Sequence, residues 1–193
     1  MKTLLASAAF AAIVLAPVPA VAQALPGAVV AVVDLEKVTG DCNACKTATA
    51  ALRTQVTGLQ SRQAALAGPL QTEQKSIKAA IDALNGAQPD AALQARIKAF
   101  ETKYQSAQDE SNNQQQQIQR NQQYIQKQIA DKLAPIYQSV MQKHGANVLL
   151  EVGSTLATTT SVDVTADVLA GLNAALPSIV TTAPAEPKQP QGR

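Results

Sequence analysis

The sequence predicts an α+β protein: a small β-rich oligomerisation body carrying a long antiparallel coiled-coil helical hairpin. Three observations carry this reading. Residues 45–144 hold an apolar period of alternating threes and fours on both sides of a single breaker. A Val-rich run from Gly27 to Leu35 precedes that stretch, and a second apolar run, Ala146 to Val152, follows it; each reads as a buried strand. The residues left for a compact base, 27–44 and 145–176, number about fifty, and so short a chain rarely buries enough apolar surface to fold alone. The base therefore calls for copies of itself, a homo-oligomer with a shared core.

Residues 1–22 have the form of a secretory signal peptide. Lys2 gives the positive start, Leu4 to Leu15 the apolar run and Ala20-Val21-Ala22 the small-residue cleavage pattern. Cleavage after Ala24 fits the same rule. The apolar run is shorter than the ~20 residues a membrane span needs, and Pro17 and Pro19 interrupt its end. An exported, soluble mature chain is the expectation.

The first strand should end at Asp34, with a short helix from Leu35 broken by Thr39-Gly40-Asp41. The first long helix then shows its seam at Leu52, Val56, Leu59, Leu66, Leu70, Ile77, Ala80 and Leu84, with Gln63 and Glu73 filling two slots. Asn85-Gly86-Ala87-Gln88-Pro89-Asp90 turns the chain, and Asp90 caps the returning helix. The return carries Leu93, Ile97, Phe100, Tyr104, Ala107, Ile118 and Ile125. Counting outward from the turn sets Gln63 opposite Ser111 or Gln114, with Asn121 further along the same polar stretch. Pro69 predicts a kink in the first helix, and Pro135 marks where the second enters the base. Residues 112–128 are rich in glutamine, uncharged and able both to donate and to accept hydrogen bonds, a surface suited to promiscuous binding. After the second strand, Leu156 to Ser161 could add an edge strand. Ala166 to Leu176 reads as a helix capped by Thr165 and ended by Pro177, and residues 177–193 as a disordered tail.

Without Lys2 the chain has fifteen basic and fourteen acidic residues, too balanced for nucleic-acid binding. The arm is mildly basic, with twelve Lys and Arg against seven Asp and Glu between Lys46 and Lys143, which would favour acidic clients or anionic lipid. Cys42-Asn43-Ala44-Cys45 is the only paired-cysteine motif. In an exported chain it reads as a structural disulfide, with free thiols or a redox or metal role as the alternatives. His144 is the sole histidine, and there is no Gly-rich phosphate loop or nucleophile elbow. Asp34 and the Asp163/Asp167 pair are accounted for by strand ending and helix capping. The expectation is a protein that is not an enzyme and uses no cofactor. Apolar residues the seam leaves over, such as Ile81 and Tyr124, are candidate contacts for a bound chain.

Val29-Val30-Ala31-Val32-Val33-Asp34, the heptad hairpin, and Val148-Leu149-Leu150 followed by Val162-Asp163-Val164-Thr165-Ala166-Asp167-Val168-Leu169 together resemble the Skp/OmpH family of periplasmic chaperones. The resemblance runs through nearly the whole mature chain. It implies a homotrimer whose β-rich trimerisation body carries three helical tentacles around a cavity. It also implies an ATP-independent periplasmic holdase that keeps unfolded outer-membrane proteins there. The weaker basic charge of the arms, Gly68-Pro69 and the cysteine pair depart from the family pattern, and the first puts lipopolysaccharide binding in doubt. The rival readings are a structural envelope protein or coiled-coil adaptor docking to a fixed partner, and a thiol oxidoreductase.

Overall fold

β1 (Val30–Val33) and β2 (Val148–Glu151) form a two-stranded parallel sheet, with Val30 opposite Val148 and Val33 opposite Glu151. Parallel neighbours need a crossover, and here the crossover is the whole arm. These strands belong to a computed structural model describing residues 26–185; the signal sequence expected over 1–22 and the tail end, 186–193, lie outside the described residues. Asn147 fixes the entry to the pair: its Oδ1 accepts the Val29 N–H at 2.8 Å and its Nδ2 donates to the Gly27 carbonyl at 2.9 Å.

Asp34 ends β1 and caps α1 (Leu35–Asp41), accepting the Lys37 N–H at 2.8 Å. The expected break at Thr39-Gly40-Asp41 is absent. Thr39 turns its hydroxyl back onto the Leu35 carbonyl at 2.8 Å, and the turn closes through Cys42 N–H to Val38 O at 3.0 Å; one glycine costs only about 1 kcal/mol, which this last turn tolerates. α2 (Asn43–Asp82) starts at once, with Cys42 as its N-cap. α3 (Ala91–His144) begins behind Asp90, whose Oδ1 accepts the Leu93 N–H at 2.8 Å, and closes on Gly145 at φ 63°. At 40 and 54 residues these helices reach about 60 and 80 Å.

Cross-helix bonds join Gln55 with Asn121, Arg62 with Glu110, Gln63 with Ser111, and Glu73 with Arg96. Residue numbers rise in α2 as they fall in α3. The seam differs from expectation at one turn, where Gln55 faces α3 and Val56 is 37% exposed. Asn121 is buried there and needs a hydrogen-bonding partner, which Val56 could not supply. α2 continues through Pro69 as one helix, and Thr72 donates its hydroxyl to the Gly68 carbonyl at 3.0 Å.

Around Pro135, α3 becomes part of the body. Leu133, Ile136 and Val140 join Ala31, Val33, Val38, Cys42, Ala44, Cys45, Val164, Val168, Leu172 and Leu176 in one core. α4 (Thr165–Ala175) packs on α3 and α1. Thr165 is not its cap. The Thr165 hydroxyl accepts the Asp34 N–H at 2.9 Å, while Asp163 Oδ1 accepts the Thr165 N–H at 2.8 Å. Leu156 to Ser161 forms no edge strand. Short 3-10 turns stand at Val152–Ser154 and Thr160–Val162, and β1 meets only a bridge from Val32 to Asp163 and the Val164 N–H. Leu156, fully exposed, has no apolar partner to hold a strand there.

The tail differs most. A disordered segment from 177 does not describe 178–183, which lie along the arm with a bend at Thr182, Val180 bonded to Gln128 and Ala183 to Asn121. Composition reads this stretch as unstructured because its partners are side-chain amides far away in sequence.

Candidate functional site

Two helices alone share one seam, so most seam residues of the arm are half-buried; outside the body core, Ala48, Ile77, Asn121 and Ile125 are the residues of α2 and α3 that are sealed. The seam opens at mid-length into a groove of about 520 Å³ between Leu66, Leu70, Phe100, Tyr104 and Ala107, with Gln63, Gln71, Gln74, Gln108 and Ser111 around it. The cause is local. Ala67 and Gly68 offer almost no side chain to the facing helix, so Tyr104, at a seam position, stays 48% exposed beside Phe100, ring centroids 6.1 Å apart. Amides and aromatic faces line one shallow trough, a surface able to meet apolar groups and hydrogen-bonding groups together.

Ion pairs flank the groove on either side. Arg62 Nε meets Glu110 at 2.9 Å, and Arg96 Nε meets Glu73 at 2.7 Å. Hydrogen bonds from the guanidinium groups hold both carboxyls below their ordinary range and raise both arginines. Exposed pairs of this kind contribute little to stability; their main effect is to set register. Gln63 Nε2 donates to Ser111 Oγ at 2.6 Å, one of the two pairings counted from the turn. Towards the body the seam becomes polar, with Asn121 3% exposed and bonded to Gln55 and Gln117.

The other candidate residues fall elsewhere. Cys42 and Cys45 lie sulfur against sulfur, Cα atoms 5.1 Å apart, inside the core at the junction of α1 and α2. Cys42 is wholly buried and Cys45 nearly so. Asn43, between them, donates its N–H to Asn173 Oδ1 at 2.9 Å, tying the arm's first turn to α4. Asp163 is held below the ordinary carboxylate range by hydrogen bonds from Thr165. Asp167 is lowered by hydrogen bonds from Lys143 first and His144 second, at 2.9 and 2.5 Å. Each carboxylate thus has a structural partner, and the pair forms no shared site. Ile81, near the tip, is 42% exposed, and Tyr124, near the base, is half-buried. Reading the sequence alone missed the groove and the peptide lying on the arm; the Ala67-Gly68 pair facing two aromatics was the available signal for the first.

Among the described residues no helix is long and apolar enough to cross a membrane. No curated protein matches the chain. Among solved structures, a chain described as a candidate outer membrane chaperone (OmpH-like) from Caulobacter crescentus CB15 is similar. It is 21% identical with a TM-score of 0.68, the match covering 86% of this chain and 95% of that one. At that identity the likeness is one of fold. The profile of the family described as Outer membrane protein (OmpH-like) matches residues 29–172. Spanning most of the chain, that match carries membership: the protein belongs to the OmpH-like family.

Proposed function

We propose that this protein is an ATP-independent periplasmic holdase, exported by residues 1–22, that binds unfolded outer-membrane proteins between the arms of a homotrimer. The observation that carries the reading is the open mid-arm groove, where Tyr104 and Phe100 are left available among glutamines on a helix pair too long to serve as a core. Such contacts are individually weak. Many acting together hold an unfolded chain without a nucleotide to drive release, and binding the unfolded state lowers its free concentration by mass action.

The trimer is supported by what the body leaves uncovered. A two-stranded sheet is at best marginal by itself. Its helix-facing side carries Ala31, Val33 and Leu149, while on the opposite side Leu150, paired with buried Val32, is 39% exposed; Val29 just before β1 and Leu156 six residues after Leu150 are also open. Pairing across β2 would cover these groups in neighbouring copies. Cys42 and Cys45 then serve as a structural disulfide that stiffens the elbow where each arm leaves the body. The modest basic excess of the arms limits any contact with anionic lipid or lipopolysaccharide to a weak one, screened at physiological salt.

The test is dilution of a urea-unfolded outer-membrane β-barrel into buffer with and without the mature protein, read by turbidity, with the assembly mass from light scattering. Suppressed turbidity together with a trimer mass is the expected result. A monomer that leaves turbidity unchanged refutes the reading. Leu150→Asp, which puts a charge on the uncovered sheet face, should lower the mass to that of a monomer.

A further inference from the structure

The family match ends at residue 172, and the chain beyond it is held by the arm. Ile179, Thr181 and Ala183 are half-buried, while Ser178, Val180 and Thr182 between them are exposed. That is the period of an extended strand with one face covered, but no strand covers it. Ile179 packs against the body core. From there on the partners are side-chain amides. Gln128 Nε2 donates to the Val180 carbonyl at 2.8 Å, and its Oε1 accepts the Val180 N–H at 3.0 Å. One side chain thereby makes both bonds that a residue of a neighbouring strand would make. Gln55 Nε2 donates to the Thr181 carbonyl at 3.2 Å, Asn121 Oδ1 accepts the Ala183 N–H at 2.8 Å, and Gln117 Nε2 reaches the Ala183 carbonyl at 3.4 Å.

The ladder is built rather than incidental. Asn121 is 3% exposed and fixed from two further directions, donating to Gln55 Oε1 at 2.7 Å and accepting from Gln117 Nε2 at 2.7 Å. Its spacing follows the peptide. Gln128 and Asn121 are seven helical residues apart, about 10.5 Å at ~1.5 Å each. Val180 and Ala183 are three residues apart with a bend at Thr182 between them, within the ~10 Å that three fully extended residues span at ~3.3 Å each. Half-buried Gln114, seven residues before Asn121, continues the stripe towards the tip. All these bonds go to the peptide's main chain, which every sequence has.

We propose that Gln55, Gln117, Asn121 and Gln128 form a binding site for polypeptide backbone, and that residues 178–183 are its built-in occupant, displaced when an unfolded chain binds. That the displacing chain is a client rests on the chaperone reading; the site itself rests on the hydrogen bonds above. A tethered occupant lowers the apparent affinity for any competitor by the fraction of time it is closed. It also offers a way to return a bound chain to solution without a nucleotide, because the tether keeps its local concentration high.

The test compares the intact mature chain with two strap-free forms, Val180→Pro, which removes the N–H that Gln128 accepts while leaving Ile179 in place, and truncation after Pro177. The probes are a fluorescein-labelled peptide of sequence 178–185 and a reduced, carboxymethylated protein that cannot fold, read by fluorescence anisotropy. Both forms should bind both probes about tenfold more tightly than the intact chain, and Gln128→Ala in the truncated chain should abolish the gain. Equal affinity for intact and strap-free chains of native circular dichroism overturns the proposal and leaves the strap a fixed brace. Failure of the carboxymethylated protein to compete with the labelled peptide also overturns it, since the site would then read sequence. A protein that shows the gain yet leaves an outer-membrane barrel to aggregate keeps the ladder and loses the chaperone reading.

Discussion

Gly171 lies on the face of α4 that meets α3, and a Cβ built there falls 2.9 Å from Cγ2 of Ile136 and 3.6 Å from its Cγ1. Two effects of Gly171→Ala oppose each other. Alanine is favoured over glycine inside a helix by about 1 kcal/mol. Against this, carbon atoms prefer about 3.5–4.0 Å, so one of the two groups must move by more than half an ångström. Ile136 cannot do so cheaply: it is buried, and as a β-branched residue in a helix it has one strongly preferred χ1. Moving α4 instead disturbs Val168 and Leu172, both fully buried in the same interface. Overpacking of this kind costs about 1–3 kcal/mol, so the net effect should be a loss of about 1 kcal/mol, or roughly 2–4 °C in Tm for a chain of this size. Thermal melts by circular dichroism measure it, and Ile136→Leu supplies the control because leucine has no methyl on Cβ. In that background Gly171→Ala should cost nothing or stabilise. A wild-type-background Gly171→Ala that raises Tm, or an equal penalty in both backgrounds, refutes the clash as the cause.

The acid side of the stability profile should depend on Asp167. Its carboxyl is depressed by Lys143 and His144, so its contribution is complete above the unfolded carboxylate value near 3.9 and is lost as pH falls through the lower folded value. Asp167→Asn should therefore flatten the decline in Tm below about pH 4, and an unchanged acid slope would show that the contact contributes nothing. For the cysteines, mass spectrometry after alkylation of the unfolded chain should find both protected. A ring of four residues restricts the unfolded chain by about 2 kcal/mol, so a Cys42→Ser, Cys45→Ser double variant should melt earlier and still suppress aggregation. Loss of that suppression in a folded double variant would favour the thiol oxidoreductase instead.

Features settled within a few residues were legible in the sequence. Asp90 caps α3 because its carboxylate reaches a donor three residues on, and Gly145 ends the helix because a left-handed residue is needed there. The heptad period announced two long paired helices for the same reason, since repetition along a helix is local geometry. The groove was legible only in part. Counting narrowed the partner of Gln63 to Ser111 or Gln114, whereas the exposure of Tyr104 depended on what the facing helix lacks.

Sequence by itself therefore determined the arm, the turn, the two strand segments and the family pattern, all of which rest on periodicity and on contacts within a turn or two. Only the tertiary structure decided the choices between distant partners. It set Gln55 against Asn121 in place of Val56, because a buried amide must be paired. It turned the Thr165 hydroxyl to Asp34 rather than to its own helix, and joined β1 to β2 in parallel across the whole arm. It also laid residues 178–183 along amides more than fifty positions away. A short segment without helical or seam period has no local reason to be ordered; its order comes from Ile179 against the body core and from main-chain hydrogen bonds whose partners only folding brings within reach.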